Sequence, residues 1–277
     1  MISKEIINQS IEYIIQHLEE EITVEGIAEQ FHFSKFYFCR SFKSITGESL
    51  YSFIKRVKID QSAIDMKLET DRQIADIGMD YGYSSSNYSS VFKNHHFISP
   101  AEFRKTINER NAVNPFFQDK TYQYGTFQEY EQKISMEELP DFEVIYERMI
   151  GNYVELKEKW IQFMDKYSEF MMPETKLIER FYQDPTITDL SKCICDLCMT
   201  VGKDCRLKNR TVISGGKFAI YRYRGSIADI FPALQGIFSV WLPDSGYEME
   251  KRYGFNIYRE IDLSSEFVEM DLCIPIK

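Results

Sequence analysis

Apolar positions near the start of the chain recur at helical spacing. Val24, Ile27 and Ala28 make one apolar face at i, i+3, i+4, which predicts a short helix over Val24–Gln30. A turn at 31–33 follows. Ser34 then stands where its hydroxyl can accept from the first free N–H groups of a second helix over about 35–43. There Phe38 and Phe42 face inward, and Lys35, Phe36, Cys39, Arg40 and Lys43 face outward. Shifted by 50 residues, the pattern repeats. Val24, Ile27 and Ala28 fall on Ile74, Ile77 and Gly78; Phe33 and Ser34 on Tyr83 and Ser84; Phe38 on Tyr88; Phe42-Lys43 on Phe92-Lys93; Ser49 on Ser99; Phe53 on Phe103. In the second copy Gly82 can supply positive φ at the turn. Tyr88 and Phe92 point inward, and Ser85, Ser86, Asn87, Ser90 and Lys93 outward. Between the copies Leu50, Phe53, Ile54, Val57, Ile64 and Leu68 predict one long helix over about 49–69.

A support helix, a tight turn and a capped helix with one polar face are the parts of a helix-turn-helix. A plain helical bundle explains the inward positions but not the matched caps, turns and Phe-Lys pairs. Two outward-facing helices on one rod would reach successive major grooves of double-stranded DNA, about 34 Å apart.

From about residue 106 to 125 the periodicity breaks and Asn, Pro and Gly cluster, which marks a linker. Beyond it the spacing changes. KISMEEL, FEVIYERM, TKLIERFY, CICDLCMTV, KFAIYRYR, GFNIYREI and FVEMDLCIPI read as strands, interrupted by helices over 153–169 and 226–241. FEVIYERMIGNY and KFAIYRYRGSIA echo one another, with Gly151 and Gly225 74 residues apart. The fold class expected is an all-α N-terminal domain followed by an α+β domain, a duplicated strand-helix-strand-strand unit with an antiparallel sheet. The boundaries expected are 1–108, a linker at 109–126, and 127–277.

Composition narrows the classes. Hydrophobic residues make up 44% and charged residues 27%, the balance of a soluble globular protein. No apolar run approaches the roughly 20 residues that span a bilayer, and the charged start lacks a signal-peptide core. A cytoplasmic protein with no membrane partner is expected, its six cysteines reduced. The net charge of −10 opposes nucleic acid on average, but the charge is unevenly spread. Residues 31–67 carry +4 and 84–110 carry +2, in the segments that would meet phosphate.

The strings TVEGIAEQFHFSKFYFCRSFKSITGESLYSFIKRVK and IADIGMDYGYSSSNYSSVFKNHHFISPAEFRK resemble the DNA-binding domain of AraC-type regulators over about residues 5–108. The resemblance implies base reading by Phe36, Cys39, Arg40, Ser85, Ser86, Asn87 and Ser90. Arg40 leads, because a guanidinium binds guanine O6 and N7 together. Ser34, Lys35, Lys43, Ser84 and Lys93 are the expected phosphate contacts, and His95-His96 is expected to face phosphate or solvent. Promoter DNA and RNA polymerase are the partners implied.

The strings GNYVELKEKW, FYQDPTIT, SKCICDLCMTV, ISGGKFAIYRYRG, WLPDSGYEM and FNIYREI resemble the GyrI-like small-molecule-binding domain over about 128–277. That implies an effector pocket, with Tyr153, Trp160, Tyr182, Tyr221, Trp241, Asn256, Tyr258 and Glu269 as lining candidates. The chain departs from the family at Asn256, where relatives carry a pocket Glu that attracts cations. A neutral or polar effector is therefore expected, or one whose charge is met by Glu269 or Asp271.

Other chemistry finds less support. Cys193 and Cys195 would share one face of a strand and Cys198 the other, so three thiolates would not converge on a metal. No phosphate-binding glycine loop or nucleophile elbow is present in the sequence, so neither an enzyme nor a cofactor is expected. A hydrolase of a small cyclic compound would need a pocket carboxylate. A protein–protein module attached to the DNA-binding domain is the other alternative, consistent with the acidic second half.

Overall fold

The computed structural model describes residues 2–111, 114–116, 122–151, 153–262 and 266–277. They form two compact units, 1–107 and 108–277. Residues 112–113 and 117–121 of the expected linker lie outside the described residues.

In the first unit the helices run α1 (Lys4–Gln16), α2 (Val24–Gln30), α3 (Lys35–Thr46), α4 (Leu50–Leu68), α5 (Ile74–Asp80), α6 (Ser85–His96) and α7 (Pro100–Asn111). The 50-residue repeat holds to the residue: α2 and α5 match at both ends, as do α3 and α6. The second helix of each copy outruns the predicted end by three residues. Each closes on a left-handed residue, Gly47 and Phe97. The turns also correspond, with positive φ at His32 (61°) and Gly82 (81°). One ring pair anchors each copy edge to face, Phe42–Phe53 at 5.3 Å and Phe92–Phe103 at 5.4 Å.

The connecting helix α4 is buried on more than the one stripe its pattern predicts. Leu50, Phe53, Ile54 and Val57 are core as expected, but Ile64 and Leu68 are only half-buried, while Ile59, Ala63 and Met66 fill the core. Serving both copies, α4 buries polar side chains too, and each has a partner. Arg56 meets Glu48 at 2.5 Å. Lys58 Nζ donates to Glu20 O at 2.8 Å. Tyr81 OH donates to Asp65 at 2.5 Å, and Tyr88 OH to Ser62 at 2.9 Å. Arg56 and Lys58, counted above among the charges that would meet phosphate, are thus internal.

The second unit opens on α8 (Phe127–Glu131), followed by β1 (Ile134–Leu139), β2 (Phe142–Ile150), α9 (Leu156–Lys166), β3 (Leu177–Phe181), β4 (Ile194–Thr200), β5 (Arg210–Ile213), β6 (Gly216–Ser226), α10 (Ile230–Gly236), β7 (Phe255–Asp262) and β8 (Phe267–Pro275). A π-helical turn, Ile237–Trp241, extends α10. Among the described residues the strands make one eight-stranded sheet, β1-β6-β8-β7-β3-β4-β2-β5, with antiparallel pairings. Strand β5 escapes the sequence pattern because four residues are too few to show alternation. It nevertheless completes the duplication. The first strand of each half pairs with the second strand of the other, β1 with β6 and β5 with β2.

The two helices α9 and α10 share one sheet face. The opposite face carries Val144, Tyr146, Ile178, Cys198, Phe218, Ile220, Phe255, Ile257 and Cys273 in one core. Strands β2 and β6, with four strands between them in the order, both contribute to it, so the sheet curls around that face. The β1–β2 and β5–β6 connections meet where its two ends approach. Gly215 N donates to Asp141 Oδ1 at 2.8 Å, and a Cβ on Gly215 would lie 2.2 Å from Leu139 O. Among the described residues no helix is long and apolar enough to cross a membrane.

This close approach makes a prediction. Gly215→Val should lower the unfolding free energy by about 1–3 kcal/mol or more, because backbone is what must yield. Gly202→Val, with open space around it, should change it by less than about 0.5 kcal/mol. Urea unfolding of both variants checks the pair.

Candidate functional site

The first unit leaves the same face of α3 and α6 uncovered. On α3, Phe36 is 82% exposed, and Arg40 and Lys43 are exposed beside it. Cys39 is half-buried, and burial pushes its thiol up. Lys35 is tied to Glu25 of the support helix. On α6, Ser85, Ser86, Asn87, Ser90 and Lys93 are all exposed. The two caps differ: Ser84 Oγ accepts from Asn87 N, whereas Ser34 makes no side-chain cap bond. The faces differ chemically as well. One is aromatic and cationic with long reach, and the other is short hydroxyls and an amide. His95 and His96 do not belong to this surface. His95 Nε2 sits 2.7 Å from Asp60 Oδ1, and His96 is buried against Phe92 and Phe103, with ring centroids at 4.4 and 5.9 Å. The expectation that they face phosphate or solvent is corrected for His96, which is buried, whereas His95 keeps part of its side chain exposed while bonding Asp60 of α4.

In the second unit the residue that organises the helix-bearing face is one the sequence reading passed over. Alternation along β3 turns Leu177, Glu179 and Phe181 toward α9. Glu179 is 2% exposed. Its Oε1 accepts from Trp160 Nε1 and from Tyr258 OH, each at 2.5 Å, and Asn256 bonds it as well. Burial pushes the Glu179 carboxyl above its ordinary value, against the lowering by these three donors. Burial and the facing carboxylate push the Tyr258 hydroxyl well up.

Glu179 and Asn256 are register partners at the β3–β7 seam. The row continues across the face through Leu272 of β8 to Tyr221 of β6. The carboxyl group absent at Asn256 is therefore present on the neighbouring strand, at Glu179. Neither acid proposed to replace it does so. Asp271 lies on the opposite face, its oxygens 2.8 and 2.9 Å from Arg259 Nε, and Glu269 lies on the rim, 3.8 Å from Arg224.

Of the other lining candidates, Trp160, Asn256 and Tyr258 converge on Glu179. Tyr153 joins the same apolar cluster, packed on Phe181 at 5.1 Å. Tyr221 packs on Tyr130 at 5.8 Å, and Trp241 donates to Glu131. Tyr182 belongs to the opposite face, in a buried ion cluster. Its hydroxyl donates to Asp196 at 2.6 Å and accepts from Arg148 at 2.8 Å. Burial pushes the Asp196 carboxyl up, but Arg148, Arg180 and Tyr182 outweigh it and hold the group at about 2. Cys195 and Cys198 fall in different apolar clusters, one on each face.

One family model, described as a GyrI-like small molecule binding domain, matches residues 132–277. Another, described as a helix-turn-helix domain, matches residues 27–106. The regulatory protein SoxS of Salmonella typhimurium is 30% identical over 108 residues, which are 39% of this chain and all of SoxS. The right origin-binding protein of Escherichia coli K12 is 28% identical over 102 residues, 36% of this chain and 35% of that protein. Among solved structures, the EcmrR–DNA complex aligns with 96% of this chain and 98% of its own, at 9% identity and a TM-score of 0.46.

The buried carboxylate sets a pH dependence. Its value is raised in the folded state, so its contribution to stability is fully present below about 4.5 and is lost as pH rises through the folded value. Unfolding midpoints of the wild type should therefore fall relative to Glu179→Gln as pH rises above about 4.5. Denaturant titrations of both proteins across that range would refute this assignment if the two curves stay parallel.

Proposed function

The chain belongs to the GyrI-like small-molecule-binding family and, in its first part, to the AraC-type helix-turn-helix regulators, and from that premise we propose how its own residues do the work. Residues 1–108 grip promoter DNA, residues 127–277 hold an effector, and 109–126 join them. The observation that carries the reading is the repeated exposure of one face on α3 and α6 while their aromatic faces are buried. On α3, Arg40 reads guanine, and Phe36 and Cys39 offer apolar contact to thymine methyl groups. On α6, Ser85, Ser86, Asn87 and Ser90 read at shorter range. Lys43 and Lys93 hold phosphate and set the salt dependence. Lys35, already paired with Glu25, contributes less.

The effector site centres on Glu179, with Trp160 and Tyr258 beside it and Asn256 across the seam. A carboxylate walled by aromatic rings favours a cation carrying apolar surface, through charge and ring–cation attraction. Asn256 tunes the carboxylate instead of adding a second charge. The site binds its ligand without turning it over, as fits a regulator: Glu179 is fixed in place by two donors of the fold, Trp160 Nε1 and Tyr258 OH. Occupancy acts on transcription by favouring one arrangement of the protein on DNA or toward RNA polymerase. This is the setting of a cytoplasmic one-component regulator.

Binding to genomic DNA fragments across a salt series tests the DNA reading. The wild type should select particular fragments. Arg40→Ala should lose about 1–3 kcal/mol of that selectivity while keeping salt-dependent association. Selection left intact in Arg40→Ala would remove Arg40 from base reading. Weak, unselective association of both proteins would remove the interface altogether.

A further inference from the structure

The second copy of the helix-turn-helix ends on chemistry that the first copy lacks. His95 and His96, in the last turn of α6, stand where α3 has Ile45 and Thr46. Both imidazoles reach one carboxylate on α4. His95 Nε2 lies 2.7 Å and His96 Nε2 3.8 Å from Asp60 Oδ1. One ligand atom from each of the three residues lies within 4.8 Å of the others. Asp60 is 1% exposed, and the His96 ring is wedged against Phe92 and Phe103. The His95 side chain is 33% exposed, which leaves a way in from solvent. The other Asp60 oxygen faces Arg56, 3.7 Å away, and Arg56 is itself held by Glu48. With neutral imidazoles, two carboxylates thus stand against one guanidinium, a local charge a cation would correct.

We propose that Asp60, His95 and His96 form a binding site for a divalent transition-metal ion of the zinc class, completed by water. Two imidazoles and a carboxylate are donors that such ions accept, whereas calcium and magnesium demand oxygen. Bonds of about 2.0–2.2 Å place donor atoms a little over 3 Å apart, between the two distances found here. Side-chain shifts on the order of an ångström bring the three ligand atoms, all within 4.8 Å of one another, to that spacing. A neutral His95 that donates through Nε2 to Asp60 binds the ion by moving that proton to Nδ1, so no proton need leave. The ion ties the end of α6 to α4. Since Ser85 to Ser90 ride on the same helix, occupancy fixes where the second reading face stands on the connecting rod. That consequence rests on the DNA reading above; the site itself does not.

The full chain, stripped with EDTA and dialysed, is titrated with Zn2+ by calorimetry, and Co2+ is followed by its visible absorption. One ion per chain should bind and raise the unfolding temperature. His95→Ala and His96→Phe should each weaken binding by about tenfold or more. His96→Phe keeps a ring against Phe92 and Phe103, so an unchanged unfolding temperature in EDTA separates a lost ligand from a lost fold. Absence of saturable binding, or binding that survives both substitutions, overturns the proposal. No DNA enters the measurement, so its failure and that of the regulator reading are distinguishable.

Discussion

The exchange of first strands between the two halves of the sheet is the constraint on which the second unit depends. Strand β1 completes the half built from β6, β8 and β7, and β5 completes the half built from β2, β4 and β3. Neither half covers its own edge, and an exposed strand edge is a liability. Each half therefore needs the other twice, once at the exchanged strand and once at the β3–β7 seam. The crossing of the two connections at Gly215 is the steric consequence. The chemical consequence is that the seam, with Glu179 opposite Asn256, lies deep in the sheet instead of at its rim.

Burial at that seam is unfavourable for a charge. It pushes the Glu179 carboxyl up, while Trp160, Tyr258 and Asn256 donate to the group and pull the other way. The first unit follows the same logic with another element. Helix α4 supports two copies at once and buries Arg56, Lys58, Asp60 and Asp65, each held by a side chain or carbonyl of a neighbouring element. In both units duplication supplies the scaffold, and departures from the repeat supply the chemistry. Glu179 faces Asn256, Tyr88 replaces Phe38 and bonds Ser62, and His95-His96 replaces Ile45-Thr46.

The helical repeat was legible because its aromatic positions, turns and caps recur at one fixed spacing, and the structure reproduces that spacing. The strand pattern was legible wherever a strand was long enough to alternate. The polar burial was not. Periodicity assigns a helix one wet face, so Arg56 and Lys58 were counted among the charges that would meet phosphate, and the histidines were expected to face phosphate or solvent. Glu179 was passed over because an acid in an apolar strand reads as the outward residue of an alternation. Its parity with Leu177 and Phe181 instead put it inside, and only the register that sets it against Asn256 identifies it. Aromatics such as Tyr182 and Tyr153 were grouped by residue type, whereas Tyr182 follows β3 on the face opposite Phe181 and Tyr153, in the turn before α9, packs on Phe181 itself.

The central claim is that the Glu179 site and the DNA-reading faces are energetically coupled. Its most direct test is the affinity of the full chain for a selected DNA fragment with and without saturating tetraphenylphosphonium, a lipophilic monocation, in the wild type and in Glu179→Gln. The account predicts that the cation shifts the wild-type dissociation constant by about fivefold or more, and that DNA shifts the affinity for the cation by the same factor. Glu179→Gln should lose the shift and keep its DNA binding. A cation that binds at Glu179 yet leaves DNA affinity unchanged would contradict the account.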